Sequence, residues 1–142
     1  LLSQSDIVTL HTPYNDSTHH LINKENIGMV KNGAYLINTA RGELVETDAL
    51  LKALASNHLS GAGLDALESE HQLKEEMTIF AKSSDEFKDL KTLFENHVLL
   101  NMPQVIVTPH IAFYSQEAEQ EIKKTTAENI TCFLNGVPQN AV

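Results

Sequence analysis

Short runs of β-branched and small apolar residues recur along this chain, and each is followed by a stretch with helical character before the next begins. That alternation constrains the fold more than any other feature. Parallel neighbouring strands need a long crossover, usually a helix, to bring the chain back to the starting edge. Asp6-Ile-Val-Thr-Leu10 is the first run, closed by His11-Thr-Pro13, and Asn23 to Val30 carries Ile27 and Val30 at helical spacing. After the turn pair Asn32-Gly33, Ala34-Tyr-Leu-Ile-Asn38 reads as the next strand. Thr47 to Ala55 then sets Leu50, Leu51 and Leu54 on a helix rich in Ala and Leu. Leu59 to Asp65 reads as a strand of small residues, and Val105-Ile-Val-Thr108 as a fourth before Pro109. A last helix is predicted from a capping Ser115 to Leu134, with Ala118, Ile122, Ile130 and Phe133 on one face and a stop at Asn135-Gly136. Residues 68–97 interrupt the pattern with a polar stretch, read as a surface excursion ending in an amphipathic helix over Glu86 to Glu95.

The fold class that follows is α/β, a parallel sheet with helices packed on it. With 142 residues, 42% of them hydrophobic, the chain is long enough for one modest domain with a real core. A net charge of −9 without a Lys/Arg cluster repels a polyanion, so no nucleic-acid partner is expected. The single Cys132 gives no disulfide framework, and neither a long apolar span nor a signal-like start is visible, which predicts a soluble, cytoplasmic protein with no membrane partner. The histidines show no paired metal-ligand spacing with cysteine, so no metal site is expected. The chain enters strand-like sequence almost at once without an initiating Met, which reads as a piece of something longer.

In open α/β sheets ligands bind outside the carboxyl ends of the strands. Those ends here lead into Thr12 and Pro13, then Thr39-Ala-Arg41, then Asp65 and Glu70, then His110. The topology therefore gathers an Arg, a His and two carboxylates along one rim, a set able to hold an anionic substrate and move a proton. Each member has a plainer reading as well. Arg41 suits a surface ion pair as well as a substrate carboxylate, His110 suits a buried structural position, and Glu70 suits a solvated acid unless it reaches His110. Gly61-Ala-Gly63-Leu-Asp-Ala66 matches the G-x-G-x-x-A dinucleotide fingerprint in letters, but its glycines fall inside a strand, where they read as thin packing positions.

"TLHTPYNDSTHHLINKENI", "GAYLINTARGELVETDALLKAL", "GAGLDALESE" and "VIVTPHIAFYSQEA" together resemble the second half of the D-isomer-specific 2-hydroxyacid dehydrogenase family, with an ending similar to its D-lactate dehydrogenase branch. The resemblance covers nearly all of the chain outside 71–97. It implies a Rossmann-like doubly wound sheet over 1–112, as the second half of an NAD-binding domain, and a helix over 113–142 returning to a substrate domain. It further implies NAD as cofactor, a small 2-oxo or 2-hydroxy acid as substrate and a homodimer for the full-length protein. Carried over by residue, Arg41 would bind the substrate carboxylate, Glu70 would pair with the histidine, and His110 would donate and accept the proton. Thr12, Pro13, Thr18, Thr39, Ala40, Arg41 and Asp65 would line the cofactor. The family's phosphate-binding glycine motif and its ribose-reading acid are expected upstream of residue 1, so useful turnover is not expected from these 142 residues alone. The alternative from a different class is a non-catalytic, NAD-sensing binding module of the corepressor type.

Overall fold

The computed structural model describes residues 1–70 and 86–140, in two compact units, Leu1–His110 and Ile111–Val142. In the first unit the strands β1 (Ile7–Leu10), β2 (Ala34–Asn38), β3 (Leu59–Leu64) and β4 (Val105–Val107) form one parallel sheet in the order β1-β2-β3-β4. Helix α1 (Thr47–Ala55) crosses from β2 to β3, and α2 (Glu86–Asn101) precedes β4. Strand order equals sequence order, so every crossover advances one step in the same direction and right-handed connections fall on one face.

The register shows why the strands are patterned as they are. Val8, Leu36, Ala62 and Val105 make one row across the sheet, and Leu10, Asn38, Leu64 and Val107 make the next. Side chains alternate between faces along a strand, so both rows point to the same side. That side carries the core with Leu44, Leu50, Leu54, Leu59 and Leu99. Burial of each such leucine is worth about 1.5–3 kcal/mol relative to exposure. Gly61 and Gly63 belong to the alternate rows. A Cβ on Gly61 would stand 2.7 Å from the Gln104 carbonyl oxygen, and one on Gly63 would stand 3.1 Å from the Ile37 side chain, so these glycines are packing positions within β3.

Two expectations change. The helix predicted over Asn23 to Val30 shrinks to a 3-10 turn at Ile27–Met29. Asparagine side chains compete for its backbone there, because Asn26 Oδ1 accepts from the Asn23 amide and Asn23 Oδ1 accepts from the Glu25 amide, both at 2.9 Å. The excursion assigned to residues 68–97 is only partly one. Its middle, 71–85, lies outside the described residues, but α2 runs on to Asn101 and buries Leu93, Asn96 and Leu99. The amphipathic helix expected over Glu86 to Glu95 is present and continues to Asn101, with its inner stripe in the core.

The second unit contains α3 (Gln116–Leu134), capped by Ser115, whose hydroxyl accepts from the Ala118 amide at 3.1 Å, and ended by Gly136 with φ +74°. A left-handed residue just past the last turn is the common way to satisfy orphan carbonyls. Among the described residues, no helix is long and apolar enough to cross a membrane.

Candidate active site

The aligned strand ends set the site. Leu10, Asn38, Leu64 and Val107 lie side by side in register, so the segments leaving them emerge along one edge. Asn38 is buried and shapes the second of these segments, the one that follows β2. Its Nδ2 donates to the Arg41 carbonyl at 2.7 Å and its Oδ1 accepts from the Ala40 amide at 3.1 Å. Arg41 is thereby held in extended backbone at the edge, exposed, with a guanidinium N–H donating to the Ala40 carbonyl at 2.8 Å. Together with His11, Thr12, Pro13, Tyr14 and Ala40 it lines a cavity of about 540 Å³.

His110 and Glu70 meet at this edge although 40 residues separate them: Nδ1 of the imidazole lies 3.1 Å from the Glu70 carboxylate, with both side chains partly exposed. The local backbone that brings them there is unusual. His110 has φ +56° and Ser69 also has φ +56°, left-handed values that cost a non-glycine residue about 1–2 kcal/mol each. Hydrogen bonds hold His110 in that conformation. Its amide donates to the Asp65 carbonyl at 2.9 Å and to the Thr108 carbonyl at 3.0 Å, while the Thr108 hydroxyl donates to the Asp65 carboxylate. Asp65 itself is buried and its amide donates to the Asn38 carbonyl at 2.9 Å.

Of the residues expected at the cofactor, Thr12, Pro13, Ala40 and Arg41 share the cavity, and Thr39 is exposed beside it. Thr18 and Asp65 do not line it. The Thr18 hydroxyl is spent within its own loop, donating to the Pro13 carbonyl at 2.8 Å and accepting from the Asn15 amide at 2.8 Å, and Asp65 works from beneath as the support of His110. His11 and Tyr14 also line the cavity and went unassigned in the sequence reading, although they flank Thr12-Pro13 directly. Asn38 was missed because it looked like the last letter of an apolar strand.

A second polar cluster lies behind the first. The Glu68 carboxylate accepts from the Thr47 hydroxyl at 2.7 Å and the Thr47 amide at 3.2 Å, and is paired with His20 Nε2 at 2.8 Å. It supplies the cap at the start of α1 that Glu46, at the cap position, does not make with its side chain. Burial pushes the Glu68 carboxyl up, but the hydrogen bonds from Thr47 and His20 outweigh it and hold it below the ordinary carboxylate value. Glycine 42 completes the arrangement: a Cβ there would stand 2.0 Å from the Leu67 carbonyl carbon and 2.3 Å from the Glu68 amide nitrogen. Close approach to the backbone of Leu67 and Glu68 is what requires Gly42. Among the described residues, no group of three His, Cys, Asp or Glu side chains is placed to hold a metal ion.

A parallel sheet with helical crossovers, and a cavity and an acid–imidazole pair at its carboxyl edge, is the arrangement of a Rossmann-like α/β domain. Residues 1–112 match the NAD binding domain of the D-isomer specific 2-hydroxyacid dehydrogenases, and the chain belongs to that family. It is 45% identical over 135 residues to a D-specific alpha-keto acid dehydrogenase of Enterococcus faecalis, an alignment covering 95% of this chain and 38% of the relative. It is 39% identical over 136 residues to a glyoxylate reductase of Thermofilum pendens, covering 96% of this chain and 34% of the relative. Among solved structures it resembles the D-lactate dehydrogenase of Aquifex aeolicus complexed with NAD and lactic acid, with a TM-score of 0.78, 39% identity, and coverage of 95% of this chain and 39% of that one. It also resembles D-2-hydroxyisocaproate dehydrogenase, with a TM-score of 0.82, 30% identity, and coverage of 99% and 40%. The chain thus spans about two fifths of the length of the relatives it matches.

NAD is the cofactor of this domain family, and the cavity suits it on structural grounds. Thr12, one of the residues lining it, carries a buried Oγ1 without a hydrogen-bond partner.

Proposed function

We propose that this chain is the catalytic-residue-bearing half of the NAD-binding domain of a D-2-hydroxyacid dehydrogenase, acting on a 2-oxo acid of the pyruvate kind and giving the D-2-hydroxy acid. The observation that carries the reading is the His110–Glu70 pair at 3.1 Å on the same sheet edge as Arg41. A non-catalytic sensing module has no use for that pair.

Each residue then has a chemical task. Arg41 offers a planar fork of donors to the substrate carboxylate, and its charge draws electron density from the adjacent carbonyl. His110, addressed by Glu70 through Nδ1, has Nε2 as the nitrogen that exchanges the proton with the substrate oxygen. The Glu70 carboxylate fixes the tautomer and the orientation of the ring. Thr12, Pro13 and Ala40, with Thr39 beside them, would hold the nicotinamide end of NAD, which supplies the hydride when bound. A homodimer of the family-length polypeptide in the cytoplasm completes the reading, and the free Cys132 accords with a reducing compartment.

The test is 2-oxo-acid-dependent NADH oxidation by the chain extended to the length of its relatives, with His110→Ala beside it. Turnover should fall by roughly 10²–10⁴-fold in the variant, the usual worth of positioned acid–base help. NADH binding should survive. Equal loss of both would overturn the assignment of His110.

A further inference from the structure

Glu70 reaches His110 from a turn that has almost no slack. The Glu70 amide donates to the Leu67 carbonyl at 3.1 Å, closing the turn across Glu68 and Ser69, and Ser69 is left-handed. Where that turn sits is decided by Glu68. Its carboxylate is fastened to Thr47 at the start of α1 and to His20, its carbonyl accepts from the Asn96 amide group at 2.8 Å, and its backbone nitrogen lies against Gly42. Four contacts from distant places in the chain therefore converge on the residue two places before Glu70.

The same residue touches the other half of the site. Gly42, its backbone neighbour in space, follows Arg41 directly in the chain. His20, its side-chain partner, stacks on His19 with ring centroids 3.9 Å apart, and His19 Nδ1 lies 3.3 Å from the hydroxyl of Tyr14, which lines the Arg41 cavity. Glu68 is thus the point through which the loop carrying the proton-transfer pair and the loops carrying the anion and cofactor cavity are held in a common frame.

We propose that Glu68, fastened by Thr47 and His20, is a positioning residue that sets the Glu70 carboxylate against His110. This rests on the dehydrogenase reading for its effect on turnover, but the geometric coupling stands apart from it. Displacing the turn moves the carboxylate, and misplacement by about 1 Å costs up to 10²-fold in catalysis.

The deciding variant is Thr47→Val, which removes one hydroxyl while keeping shape, the Glu68 charge and the backbone N–H donor. Two readouts are taken. In the 142-residue chain at fixed pH, the ¹⁵N ring signals of His110 should move toward those of Glu70→Gln in Thr47→Val and Glu68→Gln, and stay at the wild-type position in Thr47→Ser. In the family-length polypeptide, Thr47→Val should lower kcat roughly tenfold with KM for NADH unchanged, and Thr47→Ser should restore it. Ring signals of Thr47→Val that coincide with wild type would overturn the proposal. So would a kcat loss that Ser and Val share, since that marks a merely structural role. A wild-type protein that oxidises no NADH with any 2-oxo acid would refute the dehydrogenase reading instead, and the His110 ring signals would still decide the coupling.

Discussion

Gly42 and Leu67 are in backbone contact across the fold: a Cβ on Gly42 would fall 2.0 Å from the Leu67 carbonyl carbon, closer than any real Cβ approaches another atom. The contact locks the loop after β2 to the loop after β3, and so ties the Arg41 segment to the Glu70 segment. Backbone on both sides leaves no flexible side chain to give way. Gly42→Ala is expected to destabilise the domain by about 1–3 kcal/mol or more, as overpacking does. Denaturant unfolding checks it, and a loss below about 0.5 kcal/mol would show that the two loops are not pressed together.

Arg41 presents its side chain at the exposed edge, with the backbone pinned by Asn38. Lysine would keep the charge and lose the fork. In the family-length polypeptide, Arg41→Lys should lower kcat/KM for the 2-oxo acid by roughly 10- to 100-fold, the equivalent of one charged hydrogen bond, while NADH affinity stays within about twofold. Steady-state kinetics alongside a binding titration separate the two quantities.

Leu99 lies four residues beyond the amphipathic helix expected over Glu86 to Glu95, yet it is only 1% exposed and belongs to the core cluster. Leu99→Ala should cost about 2–5 kcal/mol, against the few tenths expected of a surface change. A midpoint shift in thermal or denaturant unfolding measures the difference.

Glu68 holds a proton less readily in the folded chain than the ordinary value of 4.5, because hydrogen bonds from Thr47 and His20 outweigh its burial. A depressed carboxyl contributes stability above its unfolded value and loses it as pH falls through the lower folded value. At pH 7 Glu68→Gln should therefore be less stable than wild type by about 0.5–2 kcal/mol, the range for a lost helix cap. The gap should narrow as pH falls below about 4.5. Thermal melts of both proteins between neutral and acid pH test this, and a gap that widens toward acid would contradict the sign.

The sequence by itself determined the frame of this protein. Alternating apolar runs specify β1 to β4 and α1 because strand and helix periods are local properties, and the rule that ligands gather at strand ends selects Thr12, Arg41, Asp65 and His110 from the sequence alone. Composition determined less at α2, whose helix over Glu86 to Glu95 was legible but whose continuation to Asn101 and burial against the core were not, and at Asn23 to Val30, where side-chain hydrogen bonds defeated an apparently helical spacing. Only the tertiary structure decided the pairing of Glu70 with His110, which depends on two left-handed residues and on hydrogen bonds from three strands' ends. It alone showed Glu68 capping α1 from 21 positions away, Asn38 holding the Arg41 loop, and Gly42 pressed on Leu67. Such contacts join segments distant in sequence, and a carboxylate or glycine carries no mark of its partner until the chain has brought the two together.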